Sequence, residues 1–222
     1  MDNKKTLDEC DNIYEYHKQF SSYHFDHRLQ NNCDEGMLKY ITTLDTDWED
    51  EIATLTNDGL LGEWDELRQK SEDWYQKNGT SLSNAFNTSQ INNVDHPKLW
   101  KTAESIGLAN WYARVHIQKP GQVVTYHLDK ASVGTEGENT YLNKKNKHRL
   151  FIFLDDWYPG QFFTIAQTTI YWQKGDVVWF SWRDAPHATA NAGQRDRPVM
   201  VITGIETDNF LEFANLHAEK KT

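Results

Sequence analysis

The sequence predicts a mainly β protein: a double-sheet jelly roll with N-terminal helices. Three observations carry that expectation. From Trp111 the chain changes to the period of a strand, with Trp111, Ala113, Val115 and Ile117 alternating against Tyr112, Arg114, His116 and Gln118. About eight short strands then follow one another as far as residue 204, with turn signals between them. Ahead of them the apolar residues recur at three and four, as in helices. Residues 1–108 are therefore read as a helical or irregular region packing on a barrel, and residues 109–222 as the barrel, in a single compact domain overall.

Taken in order, residues 1–33 are polar with scattered aromatics and read as loosely helical or irregular. Residues 34–44 read as a short helix with Met37, Leu38, Ile41 and Leu44 inward. Residues 59–78 read as a longer one, with Leu60, Trp64, Leu67, Ser71 and Trp74 on one face and Gly79 as its stop. The uncharged stretch 80–94 reads as a loop, either a lid or a connector. Asp95-His96-Pro97 opens another helix, with Asp95 as cap, Pro97 in the first turn, Leu99, Ala103 and Ile106 inward and Gly107 as the stop. The strands are expected at 111–118, 122–127, 149–154, 161–166, 168–173, 176–182, 187–190 and 198–204, with a polar, Gly-rich insertion at 130–147.

Composition narrows the partners. The chain has 222 residues and a net charge of −10, and residues 1–100 hold 20 of its 33 acidic side chains but only 9 of its 23 basic ones. Duplex nucleic acid and an anionic membrane are not expected partners for such a surface. The two cysteines, Cys10 and Cys33, lack metal-type spacing and read as free thiols of a reducing compartment. No apolar run approaches the ~18 residues of a membrane span, and MDNKKTLDEC has no signal-type apolar core. Cytoplasmic is the expected location.

The chemistry gathers around two stretches. Residues 175–197, GDVVWFSWRDAPHATANAGQRDR, carry a tight turn, a buried strand, and then His187, Asn191 four later and Arg197 ten after His187. Residues 123–129, VVTYHLD, put His127 and Asp129 two apart at a strand end, where their side chains share a face. Two histidines and a carboxylate, with coordination positions left open, are the donor set that suits non-haem Fe(II). His127, Asp129 and His187 are thus the candidate metal and catalytic residues. Asp26 with His24 repeats the His-x-Asp spacing, but without a strand, a Pro-Gly turn or a matching distal histidine it reads as solvated surface.

With these residues in place, the chain from about 111 to 204 resembles the double-stranded β-helix of Fe(II)/2-oxoglutarate oxygenases. It is similar in particular to the aspartyl/asparaginyl β-hydroxylase-like group, which includes bacterial proline hydroxylases. The residues that carry the resemblance are Ala113-Arg114, Pro120-Gly121, His127-x-Asp129, Arg149 opening an apolar strand, Gly175-Asp176 with Trp179, and His187-x3-Asn191-x5-Arg197. Family members commonly have His and Pro where this chain has Phe151 and Phe153. The resemblance implies Fe(II), 2-oxoglutarate as cosubstrate and O2, with oxidative decarboxylation to succinate and CO2 coupled to hydroxylation of an unactivated C–H. Arg197 is the candidate for the distal carboxylate of 2-oxoglutarate, where a planar guanidinium forks onto both oxygens. Arg149 is a second cofactor-binding candidate, or else an ion pair with Asp155 or Asp156.

Arg114 and His116, on the polar face of the first strand, are substrate-binding candidates, and Asn191 is a supporting residue or a turn former. Trp172, Trp179 and Trp182 read as core and rim aromatics. The expected substrate is a small molecule or peptide bearing a carboxylate, since cations left in a partly dry cleft call for an anion. The alternative is a cupin-like module that binds metal or ligand without turnover, to which Gly121-x5-His127-x-Asp129 also conforms loosely. Arg197 separates the two, because a bare metal-binding barrel has no need of an anion clamp.

Overall fold

The computed structural model describes residues 38–55, 72–73, 76–77, 85–127, 146–165, 168–182 and 185–214. Within them ten strands form two antiparallel sheets. The larger runs β1 (Leu38–Thr43), β8 (Asp176–Phe180), β5 (Lys147–Phe153), β10 (Arg197–Ile205), β3 (Ala109–Gln118), β2 (Asn87–Gln90). The smaller runs β4 (Val123–His127), β9 (His187–Asn191), β6 (Gln161–Ile165), β7 (Thr168–Ile170). From β3 onward the chain passes from one sheet to the other at every step except β6 to β7, which fits the jelly-roll expectation. Each of the eight strands expected from residue 111 onward is present, with ends displaced by a few residues.

Strand alternation divides the larger sheet into two faces. Ala113, Val115, Leu150, Ile152, Met200 and Ile202 point outward and are buried by helices. These are α1 (Glu49–Ile52), α2 (Pro97–Ser105) and α3 (Asp208–Ala214), through Trp48, Leu99, Ala103, Phe210 and Ala214. The other face meets the smaller sheet around Phe153, Phe163, Ile165, Ile170, Trp172, Val178, Phe180 and Val199. That second layer lies between the two sheets, and it holds the candidate site. No helix among the described residues is long and apolar enough to cross a membrane.

Three expectations are corrected. Residues 38–43 of the expected 34–44 helix are a strand, pairing antiparallel with β8 from Leu38↔Phe180 to Thr43↔Asp176. Tyr40, Ile41, Thr42 and Thr43 are β-formers, and pairing along the open side of β8 outweighs a short helical pattern. Residues 87–90 of the expected loop form β2, which extends the sheet beyond β3. Asp95 does not cap α2. Glu51 reaches across from α1, and its carboxylate accepts from the backbone N–H groups of Lys98 at 2.7 Å and Leu99 at 2.9 Å. Asp95 closes a turn with Asn92 instead. The rest of the α2 reading holds: Pro97 is in the first turn, Leu99, Ala103 and Ile106 are buried, and Gly107 at φ +80° ends the helix. Of the expected 59–78 helix, residues 72–73 and 76–77 are helical, with Gln76 donating to Glu72. The remainder of that helix, residues 1–33 and most of the 130–147 insertion lie outside the described residues.

Candidate metal and anion site

His127 and His187 are partners across the β4–β9 ladder, with ring centroids 4.4 Å apart. Plain alternation would not give this. Val124, opposite Thr189, faces the interior, so Tyr126 should follow it inward and His127 should turn out. A β-bulge between Val124 and His127 inserts one residue, which leaves Tyr126 54% exposed and returns His127 to the interior beside His187.

Both rings are oriented in the same way. Nδ1 of His127 donates to the Thr125 carbonyl at 2.7 Å, and Nδ1 of His187 to the Ala185 carbonyl at 3.1 Å. A carbonyl can only accept, so Nδ1 carries a proton in each ring, and in the neutral imidazole the lone pair lies on Nε2. That is the tautomer a metal ligand needs, held by a second partner as ligating histidines usually are. Phe180 stands edge-on to His187 at 5.0 Å. Asp129 lies outside the described residues, and among those residues no three His, Cys, Asp or Glu side chains converge as a metal site. The donor chemistry of the pair fits Fe(II) as far as two of its three expected ligands.

The inward face of the larger sheet is polar along β3, and its register orders the other candidates. Gln118 pairs with Arg197, His116 with Val199, Arg114 with Val201, and Tyr112 with Thr203, which also pairs with Arg149. Arg197 is only 7% exposed. Among the described residues its guanidinium has no ion pair, and its buried Nε has no hydrogen-bond acceptor. Its packing partner is the Trp172 ring, 5.7 Å from the guanidinium carbon. Burial alone pushes its pKa down to about 9, which still leaves it charged at neutral pH.

Arg149 is placed differently. Its Nε donates to Thr203 Oγ1 at 3.1 Å and its guanidinium lies over Trp182 at 4.4 Å. Its register partner Thr203 is six residues from Arg197 along β10, about 20 Å of strand. One carboxylate does not lie on both arginines. Tyr112 has Arg114 at 5.9 Å and Lys147 at 5.8 Å. Burial raises its phenol pKa, but the Arg149 charge, a hydrogen bond to Thr203 and the Lys147 charge outweigh it, and the net shift is downward. His116 stacks on Phe86 at 4.2 Å. Asn191 is a turn former: its amide donates to the Gln118 and Arg195 carbonyls, both at 2.7 Å, and its Oδ1 accepts from Gly193 N–H. It thereby shapes the turn that delivers Arg197. Trp172 and Trp182 are buried in the interior, whereas Trp179 packs on the helix side and donates to His148.

Sequence reasoning missed Gln118. Its signal was the alternation itself, which puts it at the end of the polar row Tyr112, Arg114, His116. It is 1% exposed and ties the larger sheet to the smaller, its amide donating to Thr189 on β9 and to the Ala85 carbonyl.

No family model matches the sequence, and no curated protein does. Among solved structures the chain is similar to a viral collagen prolyl hydroxylase from Paramecium Bursaria Chlorella virus-1 in a 2OG complex, at 16% identity over 79% of this chain and 100% of that one, with a TM-score of 0.48. It is similar to a Pseudomonas putida prolyl-4-hydroxylase at 14% identity, over 71% and 96% of the two chains, with a TM-score of 0.41. It is also similar to a Cupin 2 conserved barrel domain protein from Salinispora arenicola at 13% identity, over 61% and 88%, with a TM-score of 0.33. Structural neighbours thus include both oxygenases and cupins. At such identities and scores they decide nothing about this chain's chemistry, which rests on its own residues.

Proposed function

We propose that the protein is an Fe(II)- and 2-oxoglutarate-dependent dioxygenase of the aspartyl/asparaginyl β-hydroxylase-like kind, acting in the cytoplasm. It hydroxylates an unactivated C–H of an amino acid or peptidyl side chain, consuming O2 and 2-oxoglutarate and releasing succinate and CO2. The observation that carries this reading is Arg197. A cation so buried, with no anion among the described residues, is costly unless a ligand brings one. The same argument disfavours a barrel that only holds a metal.

His127 and His187, with Asp129, would hold the iron, which supplies the redox chemistry when bound. The chain's own residues do the rest. The Thr125 and Ala185 carbonyls accept from Nδ1 and so orient both imidazoles with Nε2 free to ligate. Arg197 binds and orients the distal carboxylate of the cosubstrate. Phe151, Phe163 and Phe180, with ring centroids 5.0 to 6.1 Å apart, line the interior beside His187 and exclude water from it. Arg114 and Arg149, gathered with Lys147 around Tyr112, favour a substrate that bears a carboxylate.

The test is the visible absorption of the anaerobic Fe(II) protein as 2-oxoglutarate is added. A weak charge-transfer band that disappears in His187→Ala is expected. No band, together with no succinate formed in air, would overturn the reading. The substrate class is tested by turnover of an amino acid against its amide. Equal rates, unchanged by Arg114→Ala, would rule out a substrate carboxylate.

A further inference from the structure

The layer between the sheets buries two polar atoms on paired positions that no described residue satisfies: the donor Arg197 Nε and the acceptor Gln118 Oε1. The orientation of the Gln118 amide is not ambiguous. Its Nε2 faces the Ala85 carbonyl at 3.0 Å, Thr189 Oγ1 at 3.2 Å and the Thr189 carbonyl at 3.4 Å. Turning the amide over would set an oxygen against two carbonyl oxygens. The backbone at this position is held as well, because Asn191 Nδ2 donates to the Gln118 main-chain carbonyl at 2.7 Å. A fixed acceptor and a cation that no described residue answers therefore occupy paired positions on neighbouring strands, both at least nine-tenths buried.

A bare carboxylate satisfies only half of this arrangement. It answers the guanidinium, but it has no hydrogen to offer Gln118, and its lone pairs are repelled by that oxygen. A water resolves both. It accepts from Arg197 Nε–H and donates one hydrogen to Gln118 Oε1 and the other to the carboxylate, three partners in a polar site. We propose that Gln118 is a specificity-determining residue of the Arg197 pocket, which takes a carboxylate together with one water held between Gln118 Oε1 and Arg197 Nε. The inference rests on the reading of Arg197 as the 2-oxoglutarate anchor. It adds that Gln118 sets how the anion seats.

The test is the dissociation constant for 2-oxoglutarate, measured on the full chain with Fe(II) under nitrogen for the wild type, Arg197→Ala, Gln118→Met and Gln118→Glu. Gln118→Met removes the acceptor and should weaken binding about tenfold. Gln118→Glu sets a carboxylate beside Arg197 in the ligand's place and should weaken it about a hundredfold. If Gln118 is merely a tie between the sheets, both variants melt lower and bind 2-oxoglutarate within twofold of wild type, or lose affinity equally; either result overturns the proposal. Unchanged affinity in Arg197→Ala removes the anion site itself and so the reading beneath. Should the Gln118 variants fail to fold, a crystal structure of the wild type with 2-oxoglutarate decides. A water bonded to both Gln118 Oε1 and Arg197 Nε supports the assignment, and a ligand seated there without one overturns it.

Discussion

A guanidinium taken out of water keeps its charge, and at Arg197 none of the described residues answers it. The missing interaction is the measure of what the ligand supplies. Two charge-assisted hydrogen bonds at ~1.5–3 kcal/mol each give about a hundredfold or more in affinity. Arg197→Ala should therefore raise the 2-oxoglutarate dissociation constant by at least about a hundredfold, by calorimetry. Arg197→Lys should recover only part of it, since a point charge replaces a planar fork. At this scale the sequence was informative about residue type and spacing, and blind to side-chain direction. Spacing singled out His127, His187 and Arg197, and the fold sets the two histidines side by side and buries Arg197. The bulge that turns His127 inward was not legible, because an extra residue in a strand leaves no mark on composition. Gln118 was passed over because a neutral amide in an alternating row looks like any rim residue until its partners are seen.

Elements held by contacts distant in sequence were the least legible. Glu51 caps a helix that begins more than forty residues later, and no local pattern joins the two. Its removal strands two backbone donors at a buried helix end, so Glu51→Ala should cost about 2–3 kcal/mol in urea unfolding, with Glu51→Gln intermediate. β1 was missed for a similar reason, since its strand character comes from pairing with β8. The β7–β8 turn, by contrast, was legible because it needs a glycine. Gly175 sits at φ +90°, and a Cβ there would lie 2.0 Å from the Leu44 carbonyl oxygen. That oxygen belongs to the chain leaving β1, whose Leu44 N–H donates to the Gly175 carbonyl. Gly175→Ala combines a disfavoured backbone region with a clash and should destabilise by about 2–4 kcal/mol, lowering the urea midpoint without changing the slope.

The whole molecule stacks two cores on one sheet, and they serve different ends. The core under the helices is mostly apolar, its few polar groups such as Glu51 and Thr102 are hydrogen-bonded within it, and it stabilises the fold. The core between the sheets mixes aromatics with the buried polar side chains of Arg197, Gln118 and His187, an arrangement that costs stability unless a ligand answers it. The desolvation cost of Arg197 is present at every pH below about 9, because its folded pKa is depressed to about that value. Above pH 9 the folded chain gives up the proton while the unfolded chain still holds it, and the cost declines as pH rises toward the ordinary arginine range. At working pH, therefore, Arg197→Met should melt above the wild type when no ligand is present, by about 1 kcal/mol or more, since it replaces a buried unpaired charge with an apolar stem. Ligands should reverse that order. A ligand at ~100 times its dissociation constant adds about 2.7 kcal/mol, on the order of 5–10 °C for a chain of this size. Fe(II) alone should raise both proteins alike through His127, Asp129 and His187. Added 2-oxoglutarate should raise only the wild type, which then melts higher than Arg197→Met. A variant that stays below the wild type without ligand would mean that Arg197 is held by an internal anion, and the anchoring role would then pass to Arg149.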